Sequence, residues 1–326
     1  MRTAADFSAN PSAVQGRAPD FFIVGHHKSG TTALYEMLRQ HPEIFMSDIK
    51  EPRFLAADMR ARFTPPRGRR LPETLEEYLS LFSAATPEQR VGEASPSYLF
   101  SETAAREIAQ LQPAARIIAI LREPASFLYS LHLQLLRSHV ESEKDLLKAI
   151  ALEGPRREGR EIPPRSHLPQ LLQYSDHVRY TDQLRRYHEQ FPPEQVLVLI
   201  YEDFREDNDG TLREVLRFLE VDEDHPLEHV NVKQTTTTMR SQQLDDLVHF
   251  LTLGRSAPAR RARAALKALA PRQVRREALR VLRHRAVLGP AAPPEEEVMA
   301  ELRLRYRPEV ERLSEYLGRD MLARWG

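Results

Sequence analysis

A lysine and three hydroxyl residues follow the first apolar segment of the chain. Residues 21–34 have the sequence FFIVGHHKSGTTAL, in which an apolar run leads into a turn bounded by Gly25 and Gly30 and then into a helical pattern. A helix N-terminus offers free backbone N–H groups and a favourable dipole to an anion, and a strand-to-helix turn places it at the carboxyl edge of a sheet. The segment therefore predicts a phosphate-binding loop formed by Lys28, Ser29, Gly30, Thr31 and Thr32.

This loop differs from that of nucleoside-triphosphate-binding proteins. The spacing from Gly25 to Gly30 matches G-x-x-x-x-G-K-[ST], but Thr31 stands where that motif has its lysine. The lysine lies inside the loop, at Lys28. The apolar run 116–121 continues into Arg122-Glu123, which does not support a magnesium site. We therefore predict no metal and keep a P-loop kinase only as an alternative; a glycine turn with an incidental lysine is the simplest competing explanation.

Alternating apolar runs and helical patterns must position this loop. Four short runs rich in β-branched residues, at 21–25, 44–46, 116–121 and 195–201, are typical of strands buried on both faces of a parallel sheet. The pattern predicts an α/β fold with three layers, a mostly parallel sheet flanked by helices. Helical patterns cover 31–40, 72–83, 102–111, 125–138, 175–190 and 210–219.

The segments outside this pattern suggest a division of the chain. We predict a flexible N-terminal tail over 1–19, an α/β core over 20–240 and a helical C-terminal region over 241–326 that packs on the core or continues the same domain. No strand is predicted after about Arg240, and prolines including Pro308 are expected to separate the helices there. Residues 154–169 predict an exposed, proline-rich insertion.

Composition excludes several classes of protein. The 326 residues contain no cysteine, which excludes disulfides, thiolate metal sites and a cysteine nucleophile. No stretch approaches the roughly 20 apolar residues of a membrane helix, and the first 19 residues lack the apolar run of a signal peptide. We expect a soluble, cytoplasmic protein without integral membrane contact.

The formal net charge of zero hides an internal asymmetry. The 47 basic and 47 acidic residues cancel over the chain, but residues 202–228 carry a balance of −8 and residues 255–285 one of +10. The basic segment predicts amphipathic helices that bind an anionic acceptor or a membrane surface, or simply a solvated helix face. A non-catalytic nucleotide- or anion-binding module based on 255–285 is a further alternative, although neutral charge and few aromatics give little support for nucleic acid.

Five segments, in order, resemble the sulfotransferases that use 3′-phosphoadenosine-5′-phosphosulfate (PAPS), in particular the bacterial and Golgi-type members. They extend over about residues 20–220. The resemblance implies a P-loop-like sulfotransferase fold. The segments are the loop GHHKSGTT at 25–32, HPEIF at 41–45 with KEPRF at 50–54, GEASPSY at 92–98, RIIAILREP at 116–124 followed by Tyr129-Ser130, and VLVLIYEDF at 196–204.

The resemblance assigns residues to the nucleotide. The 28–32 loop holds the 5′-phosphate, with Lys28 stabilising charge on the leaving phosphate. Arg122 suits the 3′-phosphate because its planar fork makes paired charge-assisted hydrogen bonds, and Ser130 adds a donor. A surface ion pair for Arg122 and a plain helix-surface role for Ser130 remain alternatives. A late basic loop over 233–240 is expected to close on the nucleotide through Arg240.

A general base must take the proton of the acceptor. We favour Glu51, because the family places its catalytic glutamate in this segment; Pro52 is expected to hold it in an extended backbone. Lys50 adjusts its charge or contacts the sulfate, although an exposed Lys-Glu pair would look the same in sequence. Histidine is the competing base, because cytosolic relatives use one. The three candidates are His26 and His27, both in the loop, and His132.

The expected reaction is sulfuryl transfer from PAPS to a hydroxyl, or secondarily an amine, of a small-molecule or carbohydrate acceptor. Glu93 and Tyr98 line the acceptor pocket in this interpretation, or are ordinary strand-end and core residues. We expect no nucleic-acid partner, and a homodimer is left open.

Overall fold

A five-stranded parallel sheet forms the centre of the fold. The computed structural model describes residues 16–60, 70–166, 168–228, 237–239, 288–290 and 293–326. The strand order is β2-β3-β1-β4-β5, so the first strand is central, with Phe21 paired to Gly92 on one side and to Arg116 on the other. The expected three-layer α/β fold is confirmed. The strands are β1 (Phe21–Ile23), β2 (Ile44–Met46), β3 (Arg90–Ala94), β4 (Arg116–Leu121) and β5 (Val196–Ile200).

The third strand was not predicted from the sequence. Its residues, RVGEA, include a glycine and a glutamate and lack the run of β-branched residues that marks its neighbours. The glycine is needed for packing, because a Cβ on Gly92 would lie 2.2 Å from the ring of Phe21. A residue type that weakens the strand pattern is therefore what lets β3 pair with β1.

Two apolar cores cover the two faces of the sheet. Phe21 and Ile23 face one core, together with α1 and α12, while Phe22 faces the other, together with α5, α6 and the late helix α13. This period of two is what a strand buried on both faces requires. The helices are α1 (Thr31–Leu38), α2 (Ala57–Arg60), α3 (Leu75–Ser80), α4 (Ser97–Phe100), α5 (Ala104–Leu111), α6 (Pro124–Arg137), α7 (Leu146–Ala151), α8 (Glu153–Arg157), α9 (Tyr174–His177), α10 (Tyr180–His188), α11 (Tyr201–Glu206), α12 (Asn208–Leu219), α13 (Glu296–Leu317) and α14 (Met321–Trp325).

The segment over 154–169 differs from expectation. Its first residues continue α8, and Arg156 makes an ion pair with Glu141 whose two side chains are almost completely buried, with Nη1 2.7 Å from Oε2. Arg156 is thus a buried residue in a segment whose other described residues are mostly exposed or half-buried. The single helix expected over 175–190 is also divided, into α9 and α10.

The late part of the chain contains strands as well as helices. Thr237–Met239 (β6) pairs antiparallel with Leu288–Pro290 (β7), so the expectation of no strand beyond Arg240 was wrong. Pro308, expected to separate helices, lies inside α13. The helical C-terminal region is nevertheless confirmed by α13 and α14, which pack on the core. The basic segment 255–285 and residues 1–15 of the expected tail lie outside the described residues.

The described chain begins in contact with the core. Arg17 pairs with Asp20 at 2.8 Å and donates hydrogen bonds to the carbonyls of Pro87 and Gln89. Residues 16–19 therefore lie against the loop that precedes β3. Across the described ranges, no helix is both long and apolar enough to cross a membrane.

Candidate functional site

The turn between β1 and α1 depends on two glycines. A Cβ on Gly25 would lie 2.2 Å from the backbone nitrogen of Ile120, so only glycine lets the turn leave β1 this close to β4. Gly30 is the N-cap of α1 with φ of 84°, and a Cβ there would also crowd the rings of Tyr201 and Phe204 at 3.1–3.2 Å. Lys28 takes a left-handed conformation as well, with φ of 66°. Non-glycine residues held in this way concentrate at ligand-binding turns.

The start of α1 has the properties of an anion site. Within the described residues, no side chain caps the helix, so its first backbone N–H groups stay available to a ligand. The hydroxyl of Ser29 is fully buried and has no hydrogen-bond partner in that part of the chain. Since buried polar atoms are normally paired, this hydroxyl fits the oxygen of a bound phosphate. Thr31 is buried at the first helical position and Thr32 is half-buried beside it.

Arg122 lies directly against this loop. It follows the last residue of β4, and its Nη1 donates to the backbone carbonyl of Lys28 at 2.7 Å and to the hydroxyl of Ser130 at 3.4 Å. Its Nε is buried and has no partner among the described residues. The guanidinium stacks over the ring of Tyr201, 4.8 Å from the centroid. The structure therefore brings together the lysine loop, Arg122 and Ser130 that the sequence placed in one nucleotide site.

Lys28 is a partly desolvated cation. Burial lowers the pKa of its ammonium group, and Arg137 and then Arg122 lower it further by repulsion. No carboxylate of the described residues pairs with it. Sequence reasoning missed Arg137, although its position seven residues after Ser130 puts both on one face of α6. Three cations thus face one region of the site.

Glu51 is held by two cations. Lys50 Nζ lies 3.1 Å from Oε1, and Arg53 Nη2 lies 2.5 Å from Oε2. The backbone before Pro52 is not extended as expected: φ is 59° at Glu51 and 55° at Arg53. This left-handed pair of residues turns both side chains toward each other, which is how Arg53, absent from the sequence prediction, becomes the second partner of the carboxylate.

His27 interacts electrostatically with Glu51, Arg53 and Lys50. Burial lowers the pKa of His27 to about 4; the carboxylate of Glu51 opposes this, while Arg53, Lys50 and Lys28 add to it. The imidazole is therefore neutral at pH 7. Burial alone would raise the pKa of Glu51, but His27 in its charged form, Lys50 and Arg53 together hold that pKa well below its usual range. With His27 neutral, the two ion pairs keep Glu51 ionised.

The Glu51 loop is fixed to the segment that follows β3. The amide of Glu51 donates to the carbonyl of Ala94 at 3.0 Å, that of Arg53 to the hydroxyl of Ser95 at 3.1 Å and that of Leu55 to the hydroxyl of Tyr98 at 3.1 Å. Alternate amides of the loop are thus tied to three nearby groups. This pattern over-determines the left-handed backbone at Glu51 and Arg53.

Glu93 and Tyr98 lie beneath the site. Both are at most 1 % exposed, so neither presents a group to an acceptor, contrary to the expectation that they line the acceptor pocket. Tyr98 donates to Glu93 Oε2 at 2.9 Å, and Tyr78 donates to the same oxygen at 2.7 Å. Burial raises the pKa of Glu93 to about 7, although Ser95, Tyr78 and Tyr98 favour its ionised form. The pair supports the Glu51 loop from below.

Two of the three candidate histidines are occupied in the core. His26 Nε2 is 2.7 Å from Gln183 Oε1, and burial lowers the pKa of His26 to about 3. His132 uses both ring nitrogens, toward the hydroxyl of Tyr174 at 2.9 Å and the carbonyl of Lys144 at 3.0 Å. Both rings are only 2 % exposed, so neither presents a nitrogen to an acceptor from solvent. Lys50, Glu51 and His27 remain at the site.

Two expectations concern groups beyond these side chains. Arg240 lies outside the described residues. Among those that are described, no three His, Asp or Glu side chains form a group that could hold a metal ion.

A parallel sheet with a glycine-bounded loop after β1 and an arginine at the end of β4 is typical of the P-loop-like α/β fold. The model of the sulfotransferase family matches residues 19–225, and the chain belongs to that family. The order of the motifs in the sequence predicted this family.

Individual relatives show the same likeness. The human bifunctional heparan sulfate N-deacetylase/N-sulfotransferase 3 is 30 % identical over 227 residues, which are 68 % of this chain and 24 % of that protein. The carbohydrate sulfotransferase 15 of Mus musculus is 33 % identical over 181 residues, or 42 % of this chain and 32 % of that protein. The chain thus spans about a quarter to a third of the length of these relatives.

A solved structure matches over most of its length. The sulfotransferase from Alicyclobacillus acidocaldarius superposes with a TM-score of 0.58 at 29 % identity, and the match covers 81 % of this chain and 99 % of that one. The similarity therefore extends beyond the loop motifs to the architecture that positions them.

Proposed function

We propose that the site transfers a sulfuryl group from PAPS to a hydroxyl of a carbohydrate or small-molecule acceptor, with an amine as the secondary possibility. One observation supports it above the others. Arg122 donates to the backbone carbonyl of Lys28, which places a fork suited to a phosphate beside a lysine that pairs with no acid of the described residues. A nucleotide with phosphates on both sides of its ribose would use both groups.

The described residues fit such a donor. The buried hydroxyl of Ser29, the N–H groups at the start of α1 and the side chains of Thr31 and Thr32 would hold the 5′-phosphate. Arg122 and Ser130 would hold the 3′-phosphate, because the unpartnered Nε of Arg122 leaves part of its fork free. No group of this set requires a metal.

The reaction is a displacement at sulfur. The acceptor oxygen forms a bond to sulfur while the bond between sulfur and the bridging oxygen of the 5′-phosphate breaks. The electron pair of the broken bond stays on that oxygen, where the Lys28 ammonium lies nearby to stabilise it. The acceptor proton goes to a carboxylate or imidazole of the site.

Glu51 is the base that the contacts favour. It is ionised at pH 7, whereas its ion pairs with Lys50 and Arg53 make it a weak proton acceptor before substrate binds. A donor or acceptor with negative charge that draws Lys50 or Arg53 away would raise the basicity of Glu51. His27, neutral and in the same cluster, is the second candidate.

The acceptor class is proposed partly from the relatives. The names of the two relatives refer to heparan sulfate and to carbohydrate. The charged side chains around the donor site also suit a hydroxyl acceptor. A hydroxyl must lose its proton as it attacks sulfur, and Glu51 is the one carboxylate among the five charged groups, which are Lys28, Lys50, Glu51, Arg53 and Arg122.

The proposed function is tested by looking for a sulfated product. The protein is incubated with PAPS and a panel of neutral oligosaccharides, glucosamine-containing saccharides and simple alcohols, and products are screened by mass spectrometry for the addition of one SO₃ group. We expect product with wild type and with Lys148→Ala, an exposed lysine on α7, and about 10²–10³-fold slower formation of product with Lys28→Ala. Equal product from Lys28→Ala would overturn the proposed mechanism.

A further inference from the structure

The single tryptophan of the chain connects the last helix to the nucleotide site. Trp325, in α14, is 5 % exposed, and its indole N–H donates to Glu202 Oε2 at 2.9 Å. The other oxygen of Glu202 accepts the backbone N–H of Glu123 at 3.3 Å. Glu123 is the residue after Arg122. One carboxylate therefore joins α14 to the end of β4, where Arg122 leaves the sheet.

A second contact reaches the same place from α10. The hydroxyl of Tyr180 donates to the backbone carbonyl of Arg122 at 2.9 Å. The ring of Tyr180 packs against the indole of Trp325, with centroids 6.2 Å apart and planes inclined at 62°. Trp325 thus contacts both of the residues that hold the backbone on either side of the Arg122–Glu123 peptide.

A third contact acts on the Arg122 side chain through α11. Tyr201, which stacks beneath the guanidinium, directly precedes Glu202. The next residue, Asp203, pairs with Arg319 and with Arg324, whose Nε lies 2.8 Å from Oδ1. Arg324 also pairs with Glu206 at 2.8 Å. Arg319, between α13 and α14, and Arg324, in α14, therefore hold the helix that carries the stacking ring.

The guanidinium needs such support because its own contacts are few. Only Nη1 donates to described protein groups, and the buried Nε has no partner there. A guanidinium recognises a phosphate by the direction of its N–H groups. A rotation of the Arg122 side chain would therefore weaken its selectivity for a phosphate, although its positive charge would remain. The ring of Tyr201 restricts that rotation by its stack on the guanidinium, and Glu202 and Trp325 act through the backbone contacts described above.

We propose that Glu202 and Trp325 are positioning residues that set the preference of the site for a 3′-phosphorylated nucleotide. The inference rests on the proposed function, since it takes Arg122 as the group that binds the 3′-phosphate. It adds α14, which lies more than 190 residues beyond β4, to the specificity machinery of the enzyme.

The test compares two nucleotides that differ only in the 3′-phosphate. Calorimetry gives the dissociation constants of 3′-phosphoadenosine-5′-phosphate (PAP) and of 5′-AMP for wild type, Trp325→Phe, Glu202→Ala and the control Leu304→Ser, whose side chain is 73 % exposed on α13. We expect the preference for PAP over 5′-AMP to fall about tenfold in the first two variants through loss of PAP affinity alone, and to stay at the wild-type value in Leu304→Ser.

The outcomes separate this inference from the proposed function. A wild type that prefers PAP, with variants that keep the same preference, overturns the positioning role only. A wild type that binds PAP no better than 5′-AMP overturns both. If a variant fails to fold, the emission of Trp325 in the wild type is titrated with each nucleotide. A change with PAP and none with 5′-AMP is expected, and an equal response to both would contradict the role of Trp325.

Discussion

The guanidinium of Arg122 donates a hydrogen bond to the backbone carbonyl of Lys28, at 2.7 Å, across 94 positions of sequence. The contact joins the end of β4 to the turn that follows β1, its neighbour in the sheet. Both side chains carry positive charge, so the contact places two cations side by side at one sheet edge. An anion bound across the two cations would relieve their mutual repulsion, which contributes to the lowered pKa of Lys28.

Removal of the Lys28 ammonium should lower the activity of the protein without lowering its stability. Lys28→Ala is expected to lower kcat by about 10²–10³, the usual effect of losing one group that stabilises developing charge. The same change removes a desolvated cation that Arg137 and Arg122 repel, so the thermal midpoint should stay the same or rise. Steady-state kinetics and calorimetry measure the two effects. A large fall in Tm together with the loss of activity would show that Lys28 is a structural residue.

Replacement of Arg122 by lysine should affect one nucleotide and spare another. Arg122→Lys keeps the charge but loses the planar fork, the stack on Tyr201 and the paired donors. We expect PAP binding to weaken by about 2 kcal/mol, the value of a hydrogen bond to a charged group, while 5′-AMP binding changes little. Calorimetric titration checks this, with the exposed Arg39→Lys as control. An equal loss of affinity for both nucleotides would mean that Arg122 does not bind the 3′-phosphate.

Substitution at the two candidate bases should identify the one that acts. Glu51→Gln is expected to lower kcat by about 10²–10⁴ with little change in PAP affinity, and His27→Ala to lower it less. Because burial lowers the pKa of His27 to about 4, wild-type kcat should not fall between pH 8 and pH 6 as it would with a histidine base of ordinary pKa. Pre-steady-state rates across this range provide the measurement. The opposite order of the two variants would make His27 the base.

The buried carboxyl of Glu93 should make the fold less stable as pH rises. Its pKa is raised from 4.5 to about 7, so between these values the folded protein holds a proton that the unfolded chain releases. The stabilisation is complete below pH 4.5 and is lost as pH rises to about 7. Glu93→Gln should lack this loss, so that the variant gains on the order of 3 kcal/mol relative to wild type between pH 4.5 and 8.

Urea unfolding at several pH values measures the Glu93 effect. The exposed Glu301→Gln serves as the matched control, and its free energy of unfolding should follow that of the wild type at every pH. Parallel pH profiles for wild type and Glu93→Gln would mean that Glu93 titrates normally in the folded protein.

The parts of the site that depend on local spacing could be predicted from the sequence. Lys28 and the glycines of its turn follow from a strand, a turn and a helix in succession, and the resemblance to the sulfotransferases supplied the Arg122–Ser130 pair. The conformation of the Glu51 loop could not be predicted, because its left-handed residues are held by amide contacts to Ala94, the last residue of β3, and to Ser95 and Tyr98 after it. The residue types of β3 are not typical of a strand, so nothing in the sequence indicated these contacts.

Contacts between distant segments escaped prediction for a related reason. Arg137 and Arg53 carry no motif, and their roles appear only when the fold brings them to a charged neighbour. The contact between Glu202 and Trp325 joins residues 123 positions apart in two helices that no periodicity relates. Local sequence patterns predict individual helices and strands, whereas these contacts depend on how the helices and strands pack together.

The choice of nucleotide tests the account most directly. PAP and ATP with Mg²⁺ are titrated separately into the wild-type protein by calorimetry, and each is then used to displace the other. The position of Lys28, the contact between Arg122 and Lys28, and Thr31 in place of a P-loop lysine predict that PAP binds more tightly and displaces ATP. Preferential binding of ATP with Mg²⁺, and its displacement of PAP, would contradict the assignment of this site to PAPS.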